Sequence, residues 1–436
     1  MRKYAYEIVY EAMEHEGHSD EIFHQIIKEH ALPARDKSFL KRLAYGTIER
    51  AVESDWRLSV VSDVAVRAME PAVRTILRMA LYEIYYMEQI PEAVSCNEAV
   101  ELTRGKGAGR YASFVNGVLR NVIRRKDALV PKKNWMRYSM PKDLWEYLEG
   151  QYGKKTTKKI ADHFLDPNGS TTIHIDTNKI SVEEYRTRLR EQQVAFEDGV
   201  YMEDALRLTG NYEVEQLPGF QDGLFFVQDE SSMLPVRCSG IRPGDVVVDT
   251  CSAPGGKSMH ALMALHGQGQ LYARDVGTNK LLRMQENFRR MQYDNVVVSE
   301  WDGMKADASM EGKADVVLAD VPCSGIGIIR RKPEIKYHAL KRGAELIGVQ
   351  RSIAENAAKM LKPGGVLIYS TCTIHKMENE ENVLWLEENC GMQRESLDPY
   401  LPEILHNKMT EQGMLQMIPG LQNSDGFFVA RLRKTV

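Results

Sequence analysis

A chain of 436 residues exceeds the size at which a single hydrophobic core keeps growing, so two or three domains are expected. With 43% hydrophobic and 27% charged residues it is excluded from the disordered class, and a formal net charge of -4 excludes a summed field that attracts nucleic acid, which leaves local basic patches for that task. The N-terminus MRKYAYEIVYEAMEHEG lacks the apolar run of a signal peptide, no stretch approaches the ~18 apolar residues of a membrane span, and six cysteines without a CxxC pair argue against zinc or a disulfide framework. A cytoplasmic chain with free thiols, no metal and no membrane contact is the expectation.

Residues 1–127 read as all-helical. Val73, Ile76, Leu77, Ala80, Leu81 and Ile84 recur at helical spacing, as do Phe114, Val115, Val118, Leu119, Val122 and Ile123, which leaves Arg120, Arg124 and Arg125 on an outer face. From Arg104 to Lys126 the sequence carries seven basic residues (Arg104, Lys106, Arg110, Arg120, Arg124, Arg125, Lys126) and no acidic one. Such a cluster suits phosphate contact; a solvated helix face is the plainer reading, and the sequence leaves both open.

After Pro131 the pattern changes. TTIHID (171–176) predicts a strand, Ser181 with Glu184 a capping box opening a helix, and the stretches 205–209 and 224–228 further strands, so residues 138–230 are expected to form a small α+β connecting module. Across 231–436 strand and helix then alternate: VVVDT, KSMHALMALH, QLYARD, NKLLRMQENFRRM, NVVVSEWD, ADVVLAD, a long helix to Leu361 and GVLIYSTC. This rhythm predicts a parallel sheet covered on both faces, with ligands at the carboxyl ends of its strands.

Three segments carry chemistry. DTCSAPGGKS (249–258) is a Gly-rich turn between strand and helix; a phosphate-binding P-loop would need glycine where Cys251 stands, so a nucleoside-cofactor turn is the better reading. Asp275 follows about 20 residues beyond Gly256 at the next strand end, where a carboxylate takes both ribose hydroxyls, and Asp302 closes the third strand on the adenine side. ADVPCSGIG (319–327) and YSTCTIH (369–375) each place a cysteine, Cys323 and Cys372, at a strand end. A thiol of ordinary pKa is only about 3% thiolate at pH 7, so a nucleophilic cysteine needs an environment that favours the anion.

These three motifs, with VQDESSML (227–234) and the C-terminal IPG and SDGFFVARLRK, resemble the RNA 5-methylcytosine methyltransferases of the Nol/Nop/Sun type, over roughly Pro141 to the end. IPEAVSCNEAVEL and FVNGVLRNVIRR resemble a NusB-type RNA-binding domain, a fusion found in members that act on 16S ribosomal RNA. The resemblance implies an α/β architecture: a Rossmann-like class I methyltransferase domain preceded by the all-α NusB-like domain and the connecting module. It implies S-adenosylmethionine as cofactor, bound by Cys251, Ser252, Ala253, Pro254, Gly255, Gly256 and Lys257 with Asp275, Asp302 and Asp320, and 16S rRNA as partner. Cys372 would add to carbon 6 of cytosine, pushing electron density onto carbon 5, while Asp320 contacts the base and Cys323 acts in product release. Arg330, Arg331 and Lys332, just past the Cys323 loop, join Arg104, Lys106, Arg110, Arg120 and Arg124 as candidate RNA contacts. Transfer RNA as substrate and a non-catalytic NusB-like scaffold are the alternatives; a monomer is expected, since no long exposed heptad is visible.

Overall fold

The computed structural model describes residues 1–435 apart from 168 and 211, and it divides into two compact units, Met1–Leu165 with Ile329–His338, and Asp166–Ile328 with Ala339–Val436. The first is helical: α1 (Arg2–Glu14), α2 (Ser19–His30), α3 (Ala34–Glu49), α4 (Ala51–Val61), α5 (Pro71–Tyr86), α6 (Glu92–Gly105), α7 (Ala112–Arg124), the short α8 (Asn134–Arg137) and α9 (Lys142–Phe164), which is broken at Gly153 where φ is 74°. Proline at its first position starts α5, and its expected apolar stripe from Val73 to Ile84 is buried throughout. α7 buries Val115, Val118, Leu119 and Val122 and leaves Arg120 and Arg124 exposed. Gly46 in α3 is a packing requirement, because a Cβ there would lie 2.0 Å from the Tyr82 ring.

Two features of this unit depart from the expected boundaries at 127 and 138. α8 and α9 fold with the helices: Tyr138 stacks on Trp145 at 5.5 Å, and Leu144, Trp145 and Leu148 are buried. Ten residues drawn from the second half of the chain, 329–338, also belong here. Within them the Glu334 carboxylate accepts from Ser19 N and Oγ at 3.2 and 2.9 Å, Lys336 Nζ donates to Ser139 O at 2.6 Å, and Tyr337 OH donates to Ile48 O at 2.6 Å. Local periodicity is blind to such an insertion, because it depends on partners more than 190 residues away.

The second unit opens with a four-stranded antiparallel sheet built from β1 (Thr171–Ile175), β2 (Phe196–Asp198), β3 (Ala205–Leu208) and β4 (Phe225–Val227) in the order β2-β3-β1-β4. α10 (Val182–Glu191) covers it with Tyr185 and Leu189, and one half of the expected capping box is present, Ser181 Oγ accepting from Glu184 N at 3.2 Å, while the Glu184 side chain pairs with Arg188 instead.

The larger sheet has eight strands: β5 (Val246–Asp249), β6 (Gln270–Asp275), β7 (Val296–Glu300), β8 (Ala314–Asp320), β9 (Leu361–Thr371), β10 (Met392–Arg394), β11 (Met414–Met417) and β12 (Phe427–Lys434). Its order is β10-β12-β9-β8-β5-β6-β7, with β11 paired to β12; β9, β8, β5, β6 and β7 are mutually parallel, and β12 enters antiparallel beside β9. Helices α11 (Glu230–Ser239), α12 (Gly256–Leu265), α13 (Thr278–Arg290), α14 (Ala339–Met360), α15 (Glu380–Asn389) and the one-turn α16 (Lys408–Glu411) complete the unit. The parallel order runs outward from β5 in both directions, β6 and β7 on one side and β8 and β9 on the other. At such a reversal the loops leaving β5 and β8 diverge and open a crevice at their carboxyl ends.

Candidate active site

The β5-α12 turn lines that crevice and is fixed mainly by backbone. Ser252 N and Oγ both donate to Arg274 O at 2.9 Å, Ala253 N donates to Asp275 Oδ2 at 2.9 Å, and Gly255 N donates to Ser252 O at 2.7 Å. The Ala253-Pro254 peptide is cis. Gly255 has φ 107°, a region open to glycine, and a Cβ there would meet Met284 Cγ at 2.9 Å. Asp275 ends β6 with Oδ1 accepting from Val276 N at 2.7 Å and Oδ2 engaged as above, which leaves two of its acceptor positions open. β7 ends at Glu300, so Asp302 stands two residues past the strand rather than on it, half-buried, with Oδ1 accepting from Met304 N at 3.0 Å as a turn residue does.

Beneath the turn Asp249 is buried. Its Oδ2 accepts from Ser258 Oγ at 2.7 Å while Oδ1 has no partner, and burial pushes the carboxyl up to about 7. Burial also pushes the Cys251 thiol far up, which makes this cysteine an inert part of the turn.

Lys257, in the first turn of α12, crosses to β8: its Nζ donates to Asp320 Oδ2 at 2.6 Å, and Ser370 Oγ from β9 donates to Asp320 Oδ1 at 2.8 Å. Burial works against the Lys257 charge, but the Asp320 carboxylate outweighs it and holds the ammonium above its ordinary value. The Phe427 ring lies 5.2 Å from Nζ.

Past the ends of β8 and β9 the two expected cysteines converge, with Cys323 Sγ 3.3 Å from Cys372 Sγ and both half-buried. Their loops are pinned by Gly327 N donating to Cys372 O at 3.1 Å and Gly426 N donating to Gly327 O at 2.9 Å. The hydrogen bond with Cys372, then burial, then nearby negative charge hold Cys323 as the neutral thiol. Sequence reasoning missed Ser370, Glu378 and Asn379. Ser370 was discoverable as the alternate residue before Cys372 on one strand; Glu378 and Asn379 sit in an acidic stretch that resembles a solvated surface.

The candidate RNA contacts fare differently. In the helical unit Arg104 pairs with Glu101, Lys106 with Glu7 at 3.3 Å and Lys126 with Glu92 at 2.8 Å, so acids outside the 104–126 stretch meet three of its seven cations. Arg124 donates to Asn121 Oδ1 at 2.9 Å, and Arg110 lies over Tyr111, while Arg120 is exposed. Arg330, Arg331 and Lys332 lie in the inserted segment of the helical unit, where Lys332 pairs with Asp20 at 2.9 Å. Among the described residues no cluster suited to a metal ion occurs, and no helix is long and apolar enough to cross a membrane.

Comparison with known proteins places this geometry. Residues 240–433 match the family described as 16S rRNA methyltransferase RsmB/F, residues 1–124 the NusB family, and residues 140–215 the ferredoxin-like domain of RsmF/B-like methyltransferases. The chain is 31% identical to a probable ribosomal RNA small subunit methyltransferase B of Bacillus subtilis, covering 100% of this chain and 98% of that protein. It is 28% identical to the ribosomal RNA small subunit methyltransferase B of Shewanella oneidensis, covering 93% of each. Among solved structures, that of PH0851 superposes with a TM-score of 0.82 at 25% identity over 99% of this chain and 98% of the other. NSun6 from Pyrococcus horikoshii shares the fold at a TM-score of 0.62 and 24% identity, covering 68% of this chain and 98% of that one.

Proposed function

The chain belongs to the RsmB/F family of 16S rRNA methyltransferases that carry a NusB domain, and from that membership we propose that it methylates carbon 5 of a cytosine in 16S rRNA, with S-adenosylmethionine as donor and Cys372 as nucleophile. The observation that carries this reading is the pair of thiols 3.3 Å apart beyond two adjacent parallel strands, beside the Gly-rich turn.

The residues present fit the donor. Asp275 keeps acceptor positions for ribose hydroxyls, the turn from Cys251 to Gly256 offers a glycine-lined wall, Asp302 would take the adenine side, and the unpartnered Asp249 Oδ1 suits the ammonium of the donor's amino-acid end. When bound, S-adenosylmethionine supplies an electrophilic methyl group. Cys372 Sγ adds to carbon 6 of the flipped-out base, and the electron pair of the ring double bond moves to carbon 5, which takes the methyl. Asp320, held from both sides by Lys257 and Ser370, accepts from a protonated N3 and stabilises the charge on that ring edge.

In release, the carbon 5 proton leaves, the bond between Sγ and carbon 6 breaks, and the electron pair of the broken C–H bond re-forms the ring double bond as the thiolate departs. Cys323 acts here. In this reading its sulfur, 3.3 Å from Cys372 Sγ, is the base that takes up that proton as a thiolate.

Transfer of labelled methyl to protein-free 16S rRNA tests the reading. Wild type is expected to form 5-methylcytosine, Cys372→Ala to lose turnover by at least ~1000-fold, and Cys323→Ala to accumulate a covalent RNA adduct. Labelling of transfer RNA instead would keep the chemistry and remove the substrate; labelling of no RNA would favour a non-catalytic scaffold.

A further inference from the structure

The β8-β9 ladder ends just before the two cysteines, its last bond running from Val321 N to Ser370 O at 3.1 Å. Something else has to hold Cys323 against Cys372, and the buried Glu378 carboxylate, with no solvent exposure, is at the centre of what does. Its Oε1 accepts from Ser324 N and from Gln350 Nε2, each at 2.8 Å, and its Oε2 accepts from Ser324 Oγ and lies 3.1 Å from His375 Nδ1. Gln350 Nε2 also donates to Pro322 O at 2.9 Å, so the residues on both sides of Cys323 are tied to one carboxylate, one directly and one through Gln350. Ser324 Oγ lies 2.7 Å from Thr373 Oγ1, which carries the tie to the residue after Cys372. At Gly343 an added Cβ would stand 2.9 Å from Glu378 Oε2, so the carboxylate fills the space that the missing side chain leaves.

We propose that Glu378 is a positioning residue for the release step, fixing Cys323 in register with Cys372 through Ser324 and Gln350; this rests on the roles given above to the two thiols. Ser324 N, Gln350 Nε2 and Ser324 Oγ all donate to the carboxylate, so the tie as built uses an acceptor on both oxygens. Glutamine, of nearly the same shape, would either turn an N–H toward Ser324 N and leave that buried donor unpaired, or turn it toward Ser324 Oγ, which must then accept and give its own proton to Thr373 Oγ1; either way the charge-assisted tie to Ser324 is lost. Attack by Cys372 needs only Cys372 in place, whereas release needs both sulfurs in register, so loosening the Cys323 loop slows the second step more than the first.

The test uses the full-length protein, labelled donor and protein-free 16S rRNA, and reads methyl turnover together with the fraction of RNA covalently attached on a denaturing gel. Glu378→Gln is expected to lower turnover about tenfold and raise the attached fraction about tenfold, with KM for the donor within about twofold of wild type. Ser324→Ala, which keeps the amide bond to Glu378, is expected to shift both quantities in the same direction by less, and it decides the matter if Glu378→Gln does not fold. In a Cys323→Ala background Glu378→Gln is expected to add nothing to the attached fraction, because both act on one step. A purely structural carboxylate would lower the melting temperature and leave the attached fraction at the wild-type level; that result, or additivity in the double variant, overturns the proposal. Absence of adduct in Cys323→Ala alone would instead remove the release role of Cys323, and this proposal with it.

Discussion

The two halves of the site are held by different means. The Gly-rich turn proposed for the cofactor is tied down by main-chain amides that donate to Arg274 O, Ser252 O and the Asp275 carboxylate, so its shape depends little on which side chains it carries. The cysteine loops hang beyond their strands and are held by side chains, Ser324, Thr373, Glu378, Gln350 and Asn379, all of them buried. Asn379 accepts from Thr371 Oγ1 at 2.6 Å and donates to Thr373 O at 3.0 Å, and so brackets Cys372. Backbone bonding tolerates substitution but needs particular dihedral angles, whereas side-chain bonding permits a fine adjustment of sulfur position and fails when one hydroxyl is lost.

Paired substitutions test that contrast. The largest effect is expected at Thr373→Val, an isosteric loss of one buried hydroxyl, which leaves Ser324 Oγ and His375 N short of a partner. Turnover should fall about tenfold and stability by about 1–2 kcal/mol, read by methyl transfer and chemical denaturation; wild-type turnover would show that the loops do not rely on this network. Gly255→Ala comes next. It forces a side chain into φ 107° and against Met284, and should cost about 1–2 kcal/mol and weaken donor binding about tenfold by calorimetry, with kcat at saturation little changed.

Asp249→Asn probes charge rather than shape. Burial raises the folded carboxyl to about 7, above its unfolded value, so the stability it lends is complete below about pH 4 and is lost as pH rises through about 7. The variant's stability relative to wild type should therefore climb between those limits and level off above them. If Asp249 Oδ1 meets the donor's ammonium, wild-type affinity should rise across the same upper limit while the variant's stays flat; equal pH slopes would remove Asp249 from the cofactor site. The smallest effect is expected at Ser252→Ala, since the amide and hydroxyl of Ser252 reach the same carbonyl and the amide remains. Turnover within about twofold of wild type is the expectation, and a loss as large as that of Thr373→Val would erase the distinction between the two halves.

Much of this site is readable along the chain because its elements are local. A β-branched run followed by DTCSAPGGKS announces a strand, a tight turn and a helix, and acidic residues at strand ends mark one edge of a parallel sheet. The extra strand β12, entering antiparallel between β9 and β10, escapes the repeating strand-helix pattern because nothing in FFVARLRK states which neighbour it joins or in which direction. The basic stretch from Arg104 to Lys126 reads as a patch from residues adjacent in sequence, yet Glu7 and Glu92 reach it only through helix packing. Glu378 looks like one acid among several in KMENEEN, and only its enclosure between the two cysteine loops and Gly343 separates it from half-buried Glu380 and exposed Glu381.

The sequence by itself determined the order of strands and helices from β5 to β9, the glycine-lined turn and the presence of a cysteine after each of two strands, since these follow from side-chain spacing and from the dihedral angles that particular residues permit. Tertiary structure alone decided that the two sulfurs stand 3.3 Å apart, that Lys257 pairs with Asp320 across 63 positions of sequence, and that residues 329–338 fold with the helices. The physical reason is common to all three: hydrogen bonds and ion pairs gain strength where water is excluded, and which distant residues share such an enclosure is settled by packing of the whole chain.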